Sequence, residues 1–429
     1  MSHSDASALR QVLVDELKSK GQINTSQVEA AFRAVPRHLF VPGTPLEEAY
    51  SDRVIPTKRL DGQVVSSSSQ PAIMAIMLDQ LGLEPGHRVL EIGAGTGYNA
   101  ALIAHIVGDT GRVVTVDIDE DIVASAREHL AAANFREVQV VCTDGGYGYA
   151  DAAPYDRIIL TVGASDLALA WWEQLKPGGR LVLPLGIKGE QQLSVAFERT
   201  DEHLASLSVK ACGFMMLRGA CAAAPTASQV PIGPDPGLFL SVAEVRSIDA
   251  GKVYEWLTGA HTDWETGIRI TPYEIFFSLQ LWLTLHEPCM DSLMATGDMV
   301  ERGIVPPLVG LGGEWKSVST SVLIGKSGLA ALMRPPGQPV PLGDVCDPSP
   351  EPPFALFVRQ FGSEESPAHR LIGHIKAWDE AGRPSSEAWR IRAYPKHSDY
   401  APAENEQVIE KRWTRLVFDR PLGLDAQGI

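Results

Sequence analysis

The chain has 429 residues, 45% hydrophobic and 21% charged, which is enough for two folded domains with ample core. Its formal net charge is -16, and Lys and Arg are scattered singly or in pairs. An acidic surface without a basic patch excludes a nucleic-acid partner.

The N-terminal stretch lacks the basic and apolar regions of a signal peptide, and no apolar run approaches the ~18 residues of a membrane span. Five cysteines, Cys142, Cys212, Cys221, Cys289 and Cys346, are scattered without Cys-x-x-Cys spacing. A cytoplasmic protein with reduced thiols, no membrane contact and no bound metal is expected.

Residues 7–35 carry apolar positions at helical spacing in two runs, and Pro36 ends the second. Residues 43–71 are polar, rich in Gly, Pro and Ser, and read as loop. Strands and helices then alternate. Strands are expected at Val89–Ile92, Arg112–Val116, Val138–Cys142, Arg157–Val162 and Arg180–Pro184, with helices at Tyr98–Val107 and Asp121–Ala132. Helices of this length between strands call for parallel pairing with right-handed crossovers, hence a doubly wound α/β sheet. Residues 222–237 read as a linker, and Pro335–Pro353 as a loop. Between and beyond them lie an apolar helix at about Tyr273–His286 and strands at Ser319–Ile324, Phe354–Phe361, Trp389–Ala393 and Trp413–Phe418, which suggest a smaller α+β domain. The expected division is 1–220 and 221–429. Seven tryptophans of the second half (Trp256, Trp264, Trp282, Trp315, Trp378, Trp389, Trp413) read as core.

The strongest motif is Glu91-Ile92-Gly93-Ala94-Gly95-Thr96-Gly97-Tyr98, between a strand and a helix. A glycine-rich turn there lets a ligand approach the backbone. The spacing is G-x-G-x-G, where a dinucleotide fingerprint runs G-x-G-x-x-G. The preceding acid, Glu91, suits a ligand with a cationic amino-acid end better than a pyrophosphate. Asp117 closes the next strand, where an acid can take ribose hydroxyls. Asp144, after the third strand, is placed for an adenine amine, beside Gly145. These features together point to S-adenosylmethionine, with S-adenosylhomocysteine as product, in a Rossmann-like class I methyltransferase domain.

Residues 8–217 further resemble the protein L-isoaspartate O-methyltransferases. The matching pieces are Val35-Pro36-Arg37-His38-Leu39-Phe40-Val41-Pro42, Ala49-Tyr50-Ser51-Asp52, Gly62-Gln63, Ser69-Gln70-Pro71, Val89–Asn99, Ala153–Ile158 and Gln174–Val182 with Pro184 and Gly186. The resemblance implies a donor site at Gln70, Glu91, Gly93, Ala94, Gly95, Thr96, Gly97, Asn99, Asp117, Ile118, Asp144 and Gly145. It implies acceptor contacts at Val64, Val65, Phe214, Met215 and Met216. The family's substrate loop resembles Gly-Gln-Thr-Ile-Ser-Gln-Pro. Here it reads Gly62-Gln63-Val64-Val65-Ser66-Ser67-Ser68-Ser69-Gln70-Pro71, three residues longer. Ser69 keeps the family's serine position, and Ser66, Ser67 and Ser68 are candidates for a remodelled catalytic loop.

That loop and the unmatched second half are similar to methyltransferases encoded with ribosomally made, modified peptides, those of FxLD-type lanthipeptides above all. The resemblance implies a modified precursor peptide as partner, and methylation of an aspartate side chain that leads through a succinimide to isoaspartate. A carboxylate is already ionised at pH 7 and needs no general base, so His38, His87 and His105 read as structural. Repair of isoaspartate in damaged proteins is one alternative, and a donor-binding module without turnover is another. The oligomeric state is open. Deleting the chain after about residue 222 is expected to leave donor binding intact and to abolish use of a modified peptide.

Overall fold

The computed structural model describes residues 3–60, 62–188, 191–222, 229–234, 236–242, 246–311, 316–340, 352–403 and 406–419. Trp315, Cys346 and most of the proline-rich stretch at 335–353 lie outside the described residues.

The first half opens with helices His3–Ser19 and Ser26–Ala34, the second capped by the Thr25 side chain on the Val28 N–H. The stretch read as loop is folded. It holds a helical turn, Leu46–Ala49, and an antiparallel hairpin of β1 (Ile55–Leu60) and β2 (Gln63–Ser68). Ser66–Ser68 are therefore strand, and Ser69 follows its end. Gly62 sits at the hairpin end with φ +79°, a conformation that favours glycine, and Val64-Val65 favour extended backbone. Helix Pro71–Leu81 follows, with proline at its first turn and Gly82 in the left-handed conformation at its end.

The expected strands are β3 (Arg88–Ile92), β4 (Arg112–Asp117), β5 (Gln139–Cys142), β6 (Tyr155–Leu160) and β7 (Leu175–Gly186). They pair in parallel in the order β7-β6-β3-β4-β5. Two further strands, β8 (Gln192–Arg199) and β9 (Leu204–Cys212), add antiparallel to β7. The fold class is the expected one: a Rossmann-like α/β methyltransferase sheet with a second, sheet-rich region.

That second region holds β10 (Gln229–Pro231), β11 (Leu238–Ser241), β12 (His261–Ile270), β13 (Met290–Thr296), β14 (Val309–Leu311), β15 (Ser317–Ile324), β16 (Gly328–Met333) and β17 (Phe354–Gly362) in one antiparallel sheet. The stretch read as linker includes the β10–β11 pair. Helix Ser366–Glu380 packs on this sheet through Leu371, Ile375 and Trp378, one apolar face at helical spacing. The helix expected at Tyr273–His286 runs from Pro272 to His286 through a wider π-type stretch at Ile275–Leu279. Trp282, Trp378 and Trp389 are buried. No helix among the described residues is long and apolar enough to cross a membrane.

The chain does not end in this second sheet. β18 (Arg390–Pro395), β19 (Gln407–Glu410) and β20 (Thr414–Asp419) return to the first one, giving ten strands in the order β19-β20-β18-β9-β8-β7-β6-β3-β4-β5. Trp389, Ile391, Leu416 and Phe418 share a core with Leu181, Leu183 and Phe197. The expected cut at residue 222 therefore crosses a single sheet and core. Burying a large apolar side chain stabilises by about 1.5–3 kcal/mol. Four such residues approach the roughly 5–15 kcal/mol that hold a whole domain. The truncation expected from sequence to keep donor binding is thus expected to aggregate or to melt without cooperativity. Circular dichroism melting of residues 1–222 checks this; a soluble fragment with a sharp transition contradicts it.

Candidate active site

β3 and β6 are neighbours in the sheet, but their chains leave in opposite directions, which opens a crevice at their carboxyl ends. The Gly93–Gly97 turn lies there. Gly93 and Ala94 both donate their N–H to the Val116 carbonyl, at 2.9 and 3.0 Å. Gly93 has φ +102°, and a Cβ on it would lie 2.6 Å from Thr161 Oγ1. Only glycine fits that approach. Gly97 starts helix Tyr98–Val107 at φ +84°, and a Cβ there would meet Leu130 and the Ala126 carbonyl.

A cavity of about 510 Å³ extends from this turn. Its walls are the turn itself, the ends of β4 and β6, strand β2, helix Pro71–Leu81 and the segment after β9. Of the residues expected from sequence, Val64, Val65, Ser66, Ser67, Ser68, Ser69, Gln70, Gly93, Ala94, Gly95, Thr96, Asn99, Asp117, Ile118, Gly145, Phe214, Met215 and Met216 all line it. Glu91, Gly97 and Asp144 do not. Gly97 serves helix packing. Both Asp144 oxygens are engaged, Oδ1 by the Gly146 N–H at 2.8 Å and Oδ2 by the Ala220 N–H at 2.7 Å. The chain beyond β9 folds over this carboxylate, which position in the sequence alone did not reveal.

Glu91 lies behind the lining and is fully buried. It accepts from Asn99 Nδ2 at 2.8 Å and Thr115 Oγ1 at 2.6 Å. Burial pushes its pKa up to about 7, against these two hydrogen bonds, and no cation pairs with it among the described residues. Asp117, at the cavity wall, is also raised by burial, while the Gly95 and Asp119 N–H groups donate to it. One buried and one partly buried carboxyl, with no cation paired to either among the described residues, beside a backbone turn open to close approach, suit a ligand with a positive charge and ribose hydroxyls.

The serine strand divides by its alternation. Ser66 and Ser68 are buried; Ser66 Oγ accepts from Thr57 Oγ1 at 3.2 Å, and Ser68 Oγ from the Arg37 guanidinium at 3.4 Å. The Ser67 and Ser69 side chains are half-buried and have no hydrogen-bond partner among the described residues. Gln70 Nε2 donates to the Asp52 carboxylate at 3.1 Å, and Asp52 also accepts from the Ala72 N–H at 2.9 Å, fixing the start of the next helix.

The opposite wall is hung from the backbone. Gly163 donates to the Met215 carbonyl at 2.8 Å and accepts from the Leu217 N–H at 2.7 Å. The Gln192 side chain holds Phe214 through both its N–H and C=O, at 2.9 Å each. Sequence reasoning missed Ile73, Met74 and Met77 on the first helix turns, and Thr161 and Val162 after β6. The strand-end rule that found Asp117 would have pointed to the last two. His38 pairs with the Tyr50 hydroxyl and His87 with the Glu84 N–H; neither these nor His105 line the cavity. Cys212 lines it, while Cys142, Cys221 and Cys289 are free thiols elsewhere.

A sequence profile of the family "Protein-L-isoaspartate(D-aspartate) O-methyltransferase (PCMT)" matches residues 8–221. The Protein-L-isoaspartate O-methyltransferase of Methanopyrus kandleri is 41% identical over 211 residues, covering 49% of this chain and 91% of that one. The chain belongs to the protein-L-isoaspartate (D-aspartate) O-methyltransferase family. It is an S-adenosylmethionine-dependent carboxyl O-methyltransferase. The namesake of Thermotoga maritima is 38% identical over 182 residues, covering 42% of this chain and 57% of its own. A solved protein-L-isoaspartate O-methyltransferase covers 89% of this chain and 96% of its own, at 24% identity and a TM-score of 0.48.

In this methyltransferase Glu91 is expected to make donor binding pH-dependent. Without ligand its pKa is about 7. A cationic ligand favours the ionised form and lowers that pKa, so binding releases a proton below pH 7 and none well above it. Donor affinity is thus expected to be about tenfold weaker at pH 6 than at pH 8, and the Glu91→Gln variant to show a flat profile. Calorimetric titration in buffers of different ionisation heat measures both; equal affinities for the wild-type protein at the two pH values contradict it.

Proposed function

We propose that the acceptor is an aspartate side-chain carboxylate in a ribosomally made, post-translationally modified peptide of lanthipeptide type, acted on in the cytoplasm. One observation carries this reading. Ser66, Ser67, Ser68 and Ser69 all line the cavity, where the substrate loop of the repair enzymes, resembling Gly-Gln-Thr-Ile-Ser-Gln-Pro, has one serine. Residues 1–220 would perform the chemistry, and the sheet-rich part of 221–429 would present the folded peptide.

The acceptor carboxylate is ionised at pH 7, so no base is needed to activate it. S-adenosylmethionine supplies the electrophilic methyl group. The Gly93–Gly95 backbone, Thr96, Asn99, Asp117, Ile118, Gly145 and Gln70 would hold it, with Glu91 acting through Asn99. Asp144 would serve by closing the chain over the site. The free Ser67 and Ser69 hydroxyls would hold the acceptor by neutral hydrogen bonds that orient it without removing its charge. Val64, Val65, Phe214, Met215 and Met216 would exclude water around the reacting groups. In the ester, the backbone nitrogen of the next peptide residue attacks the side-chain carbonyl. Methanol leaves, a five-membered succinimide closes, and water opens it to isoaspartate.

The activity named for the relatives favours a second reading, methylation of the isoaspartate α-carboxyl in damaged proteins. The two differ in which carboxyl enters the cavity. Mass spectrometry of the ring-bearing precursor, its linear form and a simple isoaspartyl peptide, each with enzyme and donor, separates them. Gain of one methyl group and then loss of methanol, on the ring-bearing peptide alone, is expected. Replacing both Ser67 and Ser69 by alanine is expected to lower kcat/KM about tenfold or more. Methylation of the isoaspartyl peptide alone overturns the proposal in favour of repair.

A further inference from the structure

Arg37 is fully buried, with 0% of its surface exposed. Its guanidinium donates to three carbonyl oxygens: Ser51 at 3.1 Å, Arg53 at 3.1 Å and Ser69 at 2.9 Å. It also reaches Ser68 Oγ at 3.4 Å, and its Nε has no partner. It lies 5.9 Å from the centre of the Tyr98 ring. No carboxylate pairs with it among the described residues. The nearby Asp52 carboxylate is occupied by Gln70 and the Ala72 N–H.

A buried charge without a counter-ion is costly, by several kcal/mol per ion. Arginine could be replaced here by waters or a neutral donor if bracing three carbonyls were its only task. What distinguishes it is its sign and its place, one layer behind Ser68 and Ser69 at the cavity wall. The reaction brings an anion to that wall and strips it of water. We propose that Arg37 is a positioning residue for the acceptor: its guanidinium braces the serine strand from behind and supplies the positive potential that selects a carboxylate over a neutral group. It does so without touching the acceptor oxygen. A direct ion pair would hold the carboxylate's lone pairs and blunt its attack. At one remove, in a medium of low dielectric, the attraction persists while the oxygens stay free.

This inference rests on the reading that the serine strand receives the acceptor, and the test separates the two. Binding is measured with two matched pairs of short synthetic peptides. One pair is aspartyl against asparaginyl; the other is isoaspartyl against the same residue with its α-carboxyl as carboxamide. The pair containing the methylated peptide is then followed in variants. The wild-type enzyme is expected to bind the carboxylate at least about tenfold more tightly than the amide. Arg37→Met is expected to bring that ratio close to one. Arg37→Lys, which keeps the charge and loses the fork, is expected to weaken both members and keep most of the ratio. A merely structural role weakens both peptides equally in either variant. Donor affinity, measured in parallel, reports whether each variant is folded.

An unchanged ratio in folded Arg37→Met overturns the proposal. So does a wild-type ratio near one, which needs no variant should Arg37→Met fail to fold. Should Ser67→Ala/Ser69→Ala leave the binding of both peptides untouched, the serine-strand reading itself fails, and Arg37 with it. A loss in the serine variant beside an unchanged ratio in Arg37→Met rejects Arg37 alone.

Discussion

The Thr161 hydroxyl donates to the Gly93 carbonyl at 2.6 Å, just where β3 and β6 part. That bond pins the crevice on which the site depends. On one side of it the glycine turn exposes backbone to the cavity, and Asp117 closes β4 beside it. On the other, Thr161 leads through Val162 into Gly163, whose N–H and C=O carry the Met215–Leu217 wall. One crossing of the sheet thus fixes the glycine turn and the opposite wall of the cavity. Rossmann-like sheets place ligands at such switch points because only there do neighbouring strand ends diverge.

The far end of the chain is tied to the same loop. Asp166 is buried, and its carboxylate accepts from the Leu167 N–H, the Trp413 N–H and the Thr414 hydroxyl. Lys411 donates to the Gly186 and Ile187 carbonyls, and burial lowers its pKa to about 8. Gly186 donates in turn to the Ala164 carbonyl at 2.7 Å. The turn between β19 and β20 therefore braces the segment that bears Gly163. The final strands belong physically to the catalytic sheet. An ammonium group whose pKa is lowered only to about 8 stays mostly charged at pH 7, and it is tolerated there because its two carbonyl partners accept its N–H groups.

What could be read from sequence was what depends on local spacing. The glycine turn, Asp117 and the alternating strands and helices follow from periods of two and 3.6 and from strand-end position. Ser66–Ser68 hid their strand because serine carries no apolar signal, so alternation of burial left no trace in hydropathy. Asp144 was read from its strand end, but a segment 76 residues later claims its carboxylate. Arg37 was legible as part of a motif and not as a site, since nothing local shows that a charged side chain will be wholly enclosed. Helix Ser366–Glu380 was readable and unread: Pro367 at its first turn and Leu371, Ile375 and Trp378 on one face are ordinary helix signals.

Methyl transfer from a sulfonium to a carboxylate consumes one positive and one negative charge and leaves two neutral products. A site that bound both charges as strongly as possible would favour the reactants over the transition state, where the charges are already fading. The roles proposed for Glu91 and Arg37 avoid that outcome. Glu91 stands behind Asn99, and Arg37 stands behind Ser68 and Ser69. Each faces the cavity through a neutral group. On the proposed roles, the atoms in contact with the reactants are amides and hydroxyls, whose hold loosens little as charge disappears. By the same roles, the esterified acceptor is no longer attracted by Arg37, while the donor product loses its sulfonium charge and keeps its ammonium. The cost is borne by the empty protein, in which Glu91 is driven to share a proton and Arg37 keeps an unsatisfied N–H.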